Sequence, residues 1–155
     1  MTKSMIVGNW KMNTTVASSA ELAKAVRDGI SIENGPDVVV CPPFVSLVPV
    51  SEALRGSRID VGAQNMHPET NGAYTGEISP EMLSQICRFV IVGHSERRTY
   101  FSETDEFVNA KVLAAQAVGI TPILCVGENL AERQDGRAND VDRKSTRLNS
   151  SHDQI

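Results

Sequence analysis

Two short polar strings each follow directly on an apolar run, and between them they hold the residues best suited to chemistry. After Met5-Ile6-Val7 comes Gly8-Asn9-Trp10-Lys11-Met12-Asn13, and after Phe89-Val90-Ile91-Val92 comes Gly93-His94-Ser95-Glu96-Arg97-Arg98. If both runs are strands of one parallel sheet, Asn9, Lys11 and His94 share the rim at the strands' carboxyl ends, where α/β folds keep their active sites. Lys11 offers a mobile ammonium suited to a phosphate or an enediolate oxygen. His94 precedes Ser95, which reads as a helix cap, so its ring would lie by a helix N-terminus whose positive end opposes protonation. Taken singly, a lysine is usually a solvated charge and a histidine a satisfied core or cap residue. Their shared position reverses that reading.

The elements that must position these residues alternate along the chain. Further apolar runs at Val38 to Cys41, Ile59 to Ala63 and Ile123 to Val126 suit strands buried on both faces. Helical patterns lie between them. Ser18 and Glu21 have capping-box spacing, and Leu22, Ala25, Val26, Gly29 and Ile30 then share one face of a helix that should stop near Asn34-Gly35-Pro36. Leu47, Val50 and Leu54 form a shorter stripe, with Ser46 placing Pro49 in the first turn and Gly56 as terminator. Ser79-Pro80-Glu81 opens another helix, and Asp105-Glu106 opens one carrying Phe107, Val108, Val112, Ala115 and Val118. Strand-to-strand spacings of roughly 22 to 32 residues fit βαβ units and a parallel sheet. Pattern alone leaves a doubly wound open sheet and a (β/α)₈ barrel, which typically takes ~250 residues, both open.

Residues 64–79 lack periodicity and contain Pro68, Asn71-Gly72 and Gly76, which marks a long loop, of a kind that in compact domains is usually functional or disordered. Residues 142–155 are nearly devoid of apolar side chains, a composition that cannot bury a core. Residues 1–141 are therefore read as the folded part and 142–155 as a disordered, non-native-looking tail.

Composition removes several classes. The 155 residues carry a formal charge of -4 spread along the chain, which gives no footprint for nucleic acid or anionic lipid. Cys41, Cys87 and Cys125 have neither disulfide nor zinc spacing and read as small buried hydrophobes. His67 and His152 have no neighbours that point to a metal, no P-loop or dinucleotide glycine spacing occurs, and no run approaches the ~18 apolar residues of a membrane span. No metal or cofactor is expected. A reducing cytoplasm fits best.

The strings GNWKMN, VCPPF, GAQNMH followed by GAYTGEIS, VGHSERR and CVGENLAER, in that order, resemble the triosephosphate isomerase family from Met5 to about Val141. The resemblance implies an incomplete (β/α)₈ barrel, its first five strands and about four helices. It implies interconversion of glyceraldehyde 3-phosphate and dihydroxyacetone phosphate through an enediolate, without a cofactor. Asn9 and Lys11 would line the substrate site, Lys11 facing phosphate and enediolate, and His94 would polarise the carbonyl as a neutral imidazole. Glu96 would order the rim beside the lysine, and Ser95 would donate near the histidine and cap its helix. Residues 64–77, with Gln64, Asn65, Thr75 and Glu77, resemble a loop that family members insert into a partner subunit, which implies a homodimer of the complete protein.

Such an isomerase needs a base, an electrophile and a lid against water. Only the electrophilic half finds matches in this sequence. The family's glutamate base, its lid and its phosphate-gripping turns have none, and KSTRLNSSH resembles translated vector or adapter DNA. The chain alone is therefore expected to be inactive, and its open sheet edges should favour aggregation or a molten state. The alternative is a non-catalytic fragment that binds a full-length subunit through the 64–77 loop. Glu128 with Arg97 and Arg98 would form ion pairs around the rim.

Overall fold

The computed structural model describes residues 4–30, 35–127, 133–137, 139–141 and 143. Glu128, His152 and all of the 142–155 tail but Arg143 lie outside them. The element order is β1 (Met5–Asn9), α1 (Val16–Gly29), β2 (Asp37–Cys41), a 3₁₀ turn (Phe44–Ser46), α2 (Leu47–Ala53), β3 (Ile59–Ala63), α3 (Pro80–Ser84), β4 (Phe89–Val92), α4 (Ser95–Tyr100), α5 (Asp105–Ala117) and β5 (Thr121–Leu124). The strands are all parallel and lie side by side in chain order. A doubly wound sheet would need a reversal of that order; a simple β1-to-β5 succession is the arc of an incomplete (β/α)₈ barrel.

Both faces of the central strands β2 to β4 are packed, which is why they read as unbroken apolar runs. Val40, Val61, Ala63, Val90 and Val92 face helices through Ala23, Leu47, Val50, Leu83, Val108, Val112 and Ala115. The alternate residues Val39, Cys41, Phe89 and Ile91 close a second cluster with Val7, Ile123 and Cys125. Gly62 belongs to that layer, and a Cβ there would stand 2.8 Å from Cys41 Sγ and 3.3 Å from Phe89 Cβ, so only hydrogen fits. The apolar exposure expected of an incomplete barrel is present at Met5, Ile6, Leu22 and Ile30.

Several boundaries differ from the sequence reading. The cap of α1 is Thr15, paired reciprocally with Ser18 in a capping box, so Ser18 with Glu21 is not the pair that opens the helix. Thr15 wins because Thr14, at φ +75°, turns the chain one residue before it. The helix ends at Gly29, ahead of the expected stop, and buries Ser19 and Ala23 while Leu22 and Ala25 face outward. On the buried face Ser19 Oγ donates to Ser46 Oγ at 2.9 Å, a polar contact that an apolar-stripe reading passes over. Strand β5 begins at Thr121, two residues early, and contains Pro122. Thr121 donates to the carbonyl of Arg88, just before β4, and Cys125 to that of Val92, so the intervening Pro122 turns its missing N–H to the open edge, where a strand tolerates it. Short α4 is a helix that the sequence reading did not bound.

Candidate functional site

The chain turns sharply where β1 ends. Lys11 has φ +53°, a left-handed backbone that costs a non-glycine residue on the order of 1–3 kcal/mol and persists only where neighbours impose it. They are visible. Asn9 Oδ1 accepts the Lys11 N–H at 3.0 Å, while Gln64 Nε2 donates to the Lys11 carbonyl at 2.9 Å and to the Cys41 carbonyl at 2.8 Å. Asn13 Nδ2 holds the Trp10 carbonyl at 2.8 Å. The lysine is thus aimed by its backbone while its side chain stays half exposed.

Lys11 Nζ donates to Glu96 Oε1 at 2.6 Å. That hydrogen bond, chiefly, holds the Glu96 carboxyl below its ordinary range despite some loss of water; the charges of Lys11 and His94 add to it. His94 caps α4 itself: its Nδ1 accepts the Glu96 N–H at 3.3 Å. A nitrogen that accepts cannot hold a proton, so in the neutral ring Nε2 carries it and is the donor. Glu96 Oε2 stands 3.6 Å from Nδ1, outside hydrogen-bond range.

Asn9, Lys11, Gln64, Asn65, Glu77, His94 and Glu96 line one cavity of about 480 Å³, so the two rim strings do converge. Ser95 does not join them. It is the exposed first residue of α4, displaced from the cap because the imidazole of His94 reaches the helix N–H groups first. Ser95 lies instead beside a second cavity, which His94 also lines. Thr75 is exposed at the tip of the 64–79 loop, outside the cavity lining. The base of that loop is pinned by His67 N–H to Ile78 O at 2.8 Å, and the His67 ring lies 4.2 Å from that of Tyr74, nearer the tip.

Under the cavity lies a group the sequence reading missed. Glu103 and Lys111 have side chains only 3% and 1% exposed, and Lys111 Nζ donates to Glu103 Oε1 at 2.5 Å and to Asn65 Oδ1 at 2.8 Å. Arg97 Nε joins at 2.6 Å from Glu103 Oε1 and stacks over Phe101. Burial pushes the Glu103 carboxyl up, but hydrogen bonds from Lys111 and Arg97 outweigh it and hold the group below the usual carboxylate range. Burial likewise lowers the Lys111 ammonium, against the opposing pull of Glu103. The signal was available: Lys111 falls on the same helical stripe as Val108, Val112 and Ala115. A cation on an apolar face needs a buried partner.

The cysteines hold packing positions. Cys41 and Cys87 are buried, and loss of water, chiefly, pushes both thiols up to about 12. Cys125 is less buried and is raised too, with Arg98 pulling the other way. Among the described residues no group of His, Cys, Asp and Glu is arranged to hold a metal ion, and no helix is long and apolar enough to cross a membrane.

A family model described as triosephosphate isomerase matches residues 4–153. The chain belongs to the triosephosphate isomerase family. The matched span runs past Val141 into the segment that composition sets apart, which lies outside the described residues except for Arg143. The triosephosphate isomerase of Carboxydothermus hydrogenoformans is 54% identical over 137 residues, covering 88% of this chain and 55% of that protein. That of Dehalococcoides mccartyi strain 195 is 52% identical over 135 residues, 87% of this chain and 54% of its own length. That of Endomicrobium trichonymphae is 47% identical over 148 residues, 95% and 59% respectively. The chain thus spans little more than half the length of these curated relatives.

Proposed function

We propose that these residues form the N-terminal, electrophilic half of a triose-phosphate isomerase, which interconverts glyceraldehyde 3-phosphate and dihydroxyacetone phosphate by moving a proton between adjacent carbons. The convergence of Asn9, Lys11 and His94 on one cavity supports this reading more than any other observation. His94 Nε2–H donates to the substrate carbonyl and stabilises the enediolate oxygen as charge develops. Lys11 supplies positive charge to the same oxygen and to the phosphate, its direction held by Asn9 and Gln64, and Glu96 keeps the ammonium in place between turnovers. The base, the lid and the phosphate-gripping turns find no counterpart among these 155 residues, so this stretch alone does not turn over substrate. We assign the barrel to residues 1–141 and leave 142–155 outside it.

The complete protein acts in the cytoplasm as a homodimer, with Thr75 and its neighbours reaching the partner's rim. In support, the loop tip from Asn71 to Glu77 is exposed while its base is pinned, and Met12, Phe44, Tyr100 and Phe101 leave apolar surface uncovered beside the cavity. Incubating the purified chain with glyceraldehyde 3-phosphate should yield no dihydroxyacetone phosphate above the uncatalysed rate; steady turnover would overturn this division of roles. Mixing it with an intact family member tests the second reading, a fragment that binds a full-length subunit through residues 64–77. A heterodimer that disappears on shortening the loop supports that binding, and its absence removes it.

A further inference from the structure

Beside His94 a guanidinium is wedged into the turn that carries the histidine. Gly93 joins β4 to α4 with φ +70°, and a Cβ there would meet Val108 Cγ1 at 2.9 Å and the terminal nitrogen of Arg98 at 3.0 Å. Arg98 Nε donates to the Gly93 carbonyl at 2.9 Å, and its Nη1 donates to Asp105 Oδ1 at 2.6 Å, in the first turn of α5. Its Nη2 is buried and has no partner among the described residues. One planar group therefore ties the His94 turn to α5. These contacts border a cavity of about 310 Å³ lined by Gly93, His94, Ser95, Arg98, Cys125 and Val126, among others.

We propose that Arg98 is a positioning residue for His94. By fixing the Gly93 carbonyl it sets the backbone from which the imidazole swings. That orientation brings Nδ1 to the Glu96 N–H and leaves Nε2 as the donor toward the substrate cavity. The ring needs such a constraint. Its own cap bond is long, at 3.3 Å, and the carboxylate of Glu96, 3.6 Å from Nδ1, would reward the opposite tautomer if the ring moved slightly toward it. A lysine in place of Arg98 keeps the charge facing Asp105 but cannot donate in two fixed directions from one plane. The inference rests on the reading of His94 as the electrophile, and it adds a residue outside the substrate cavity to the machinery of that site.

The test uses the full 155-residue chain with ¹⁵N-labelled histidine rings, kept dilute enough to remain monomeric, at mildly alkaline pH. His67 is an internal control, because its Nδ1 also accepts a backbone N–H, from Glu69 at 3.2 Å. A His94→Gln substitution identifies the His94 signals. In the unmutated chain the His94 nitrogens should be those of a single Nε2–H tautomer. In Arg98→Lys they should move toward the averaged position while those of His67 stay in place, and Asp105→Asn, which spares the Nε bond to Gly93, should leave His94 close to the unmutated chain. Averaged His94 nitrogens in the unmutated chain overturn the proposal even if no variant folds. It is also overturned if Arg98→Lys leaves His94 unchanged, if it moves His67 and His94 together, or if Asp105→Asn has the same effect. Because the readout needs no turnover, failure of the isomerase reading in an activity assay is recognised separately.

Discussion

Replacing Glu103 by Gln removes the carboxylate that is hydrogen-bonded to Lys111 and leaves it only the weaker pull of Glu77 among the described residues. The ammonium is 1% exposed and cannot turn to water, whereas Arg97, 27% exposed, can. Breaking a buried pair by removing one partner costs about 3–5 kcal/mol, and a glutamine oxygen can still accept one hydrogen bond, which places Glu103→Gln near the lower end. That is a large share of the roughly 5–15 kcal/mol that holds a domain folded. Lys111→Met should cost less, about 1–3 kcal/mol, because Glu103 keeps Arg97 at 2.6 Å. The double variant should be more stable than Glu103→Gln alone, since no uncompensated ammonium remains. Trp10, the single tryptophan, packs against the helix-side core and reports unfolding by fluorescence at low protein concentration. With a urea slope of about 1–3 kcal/mol/M, Glu103→Gln should lower the midpoint by roughly 1–3 M. The pH dependence has a fixed sign. The folded carboxyl titrates below its unfolded value of about 4.3, so its contribution is complete above that pH and is lost as pH falls through the folded value. The deficit of Glu103→Gln should therefore shrink in acid. A midpoint shift of less than about 0.3 M, or a double variant equal to the sum of the singles, would refute the reasoning.

Other consequences follow from the rim and the core. Gln64→Glu exchanges a double donor for an acceptor facing the Lys11 and Cys41 carbonyls; it should cost about 1–3 kcal/mol by urea titration, with part of the loss recovered in acid as the new carboxyl regains a proton. An unchanged midpoint would show that the Lys11 backbone does not depend on Gln64. In the native chain Cys41 and Cys87 should resist an aromatic disulfide reagent at mildly alkaline pH until urea exposes them, and Cys125 should react first, as followed by thiolate release. Prompt reaction of all three thiols would mean that the two sheet layers are not closed.

The parts of the fold that were legible in the sequence are those where one chemical requirement dominates. Strands packed on both faces must be apolar throughout, so Val38 to Cys41 and Phe89 to Val92 announced themselves, and Ser79-Pro80 opened α3 as capping chemistry requires. The convergence of Asn9, Lys11 and His94 followed from strand ends in a parallel sheet. What was not legible depends on partners distant in the chain. The Ser19–Ser46 hydroxyl contact on the buried face of α1 links positions that no local pattern connects. Gln64 looked like the start of a loop because its two acceptors, Lys11 and Cys41, belong to other strands' ends. The start of β5 at Thr121 was masked by Pro122, which is penalised in an interior strand but not where its nitrogen meets an open edge. His94 displaced Ser95 as cap because an imidazole can accept a backbone N–H as a serine does, and propensity alone favours the serine.

The most direct test joins residues 1–141 to the C-terminal part of the Carboxydothermus relative that this chain does not span, and measures conversion of glyceraldehyde 3-phosphate to dihydroxyacetone phosphate. The fusion should turn over substrate, and Lys11→Met and His94→Gln should each lower kcat/KM by at least about a hundredfold, the scale of one lost transition-state donor. A fusion whose rate is unaffected by either substitution would contradict the assignment of the electrophilic site to this rim.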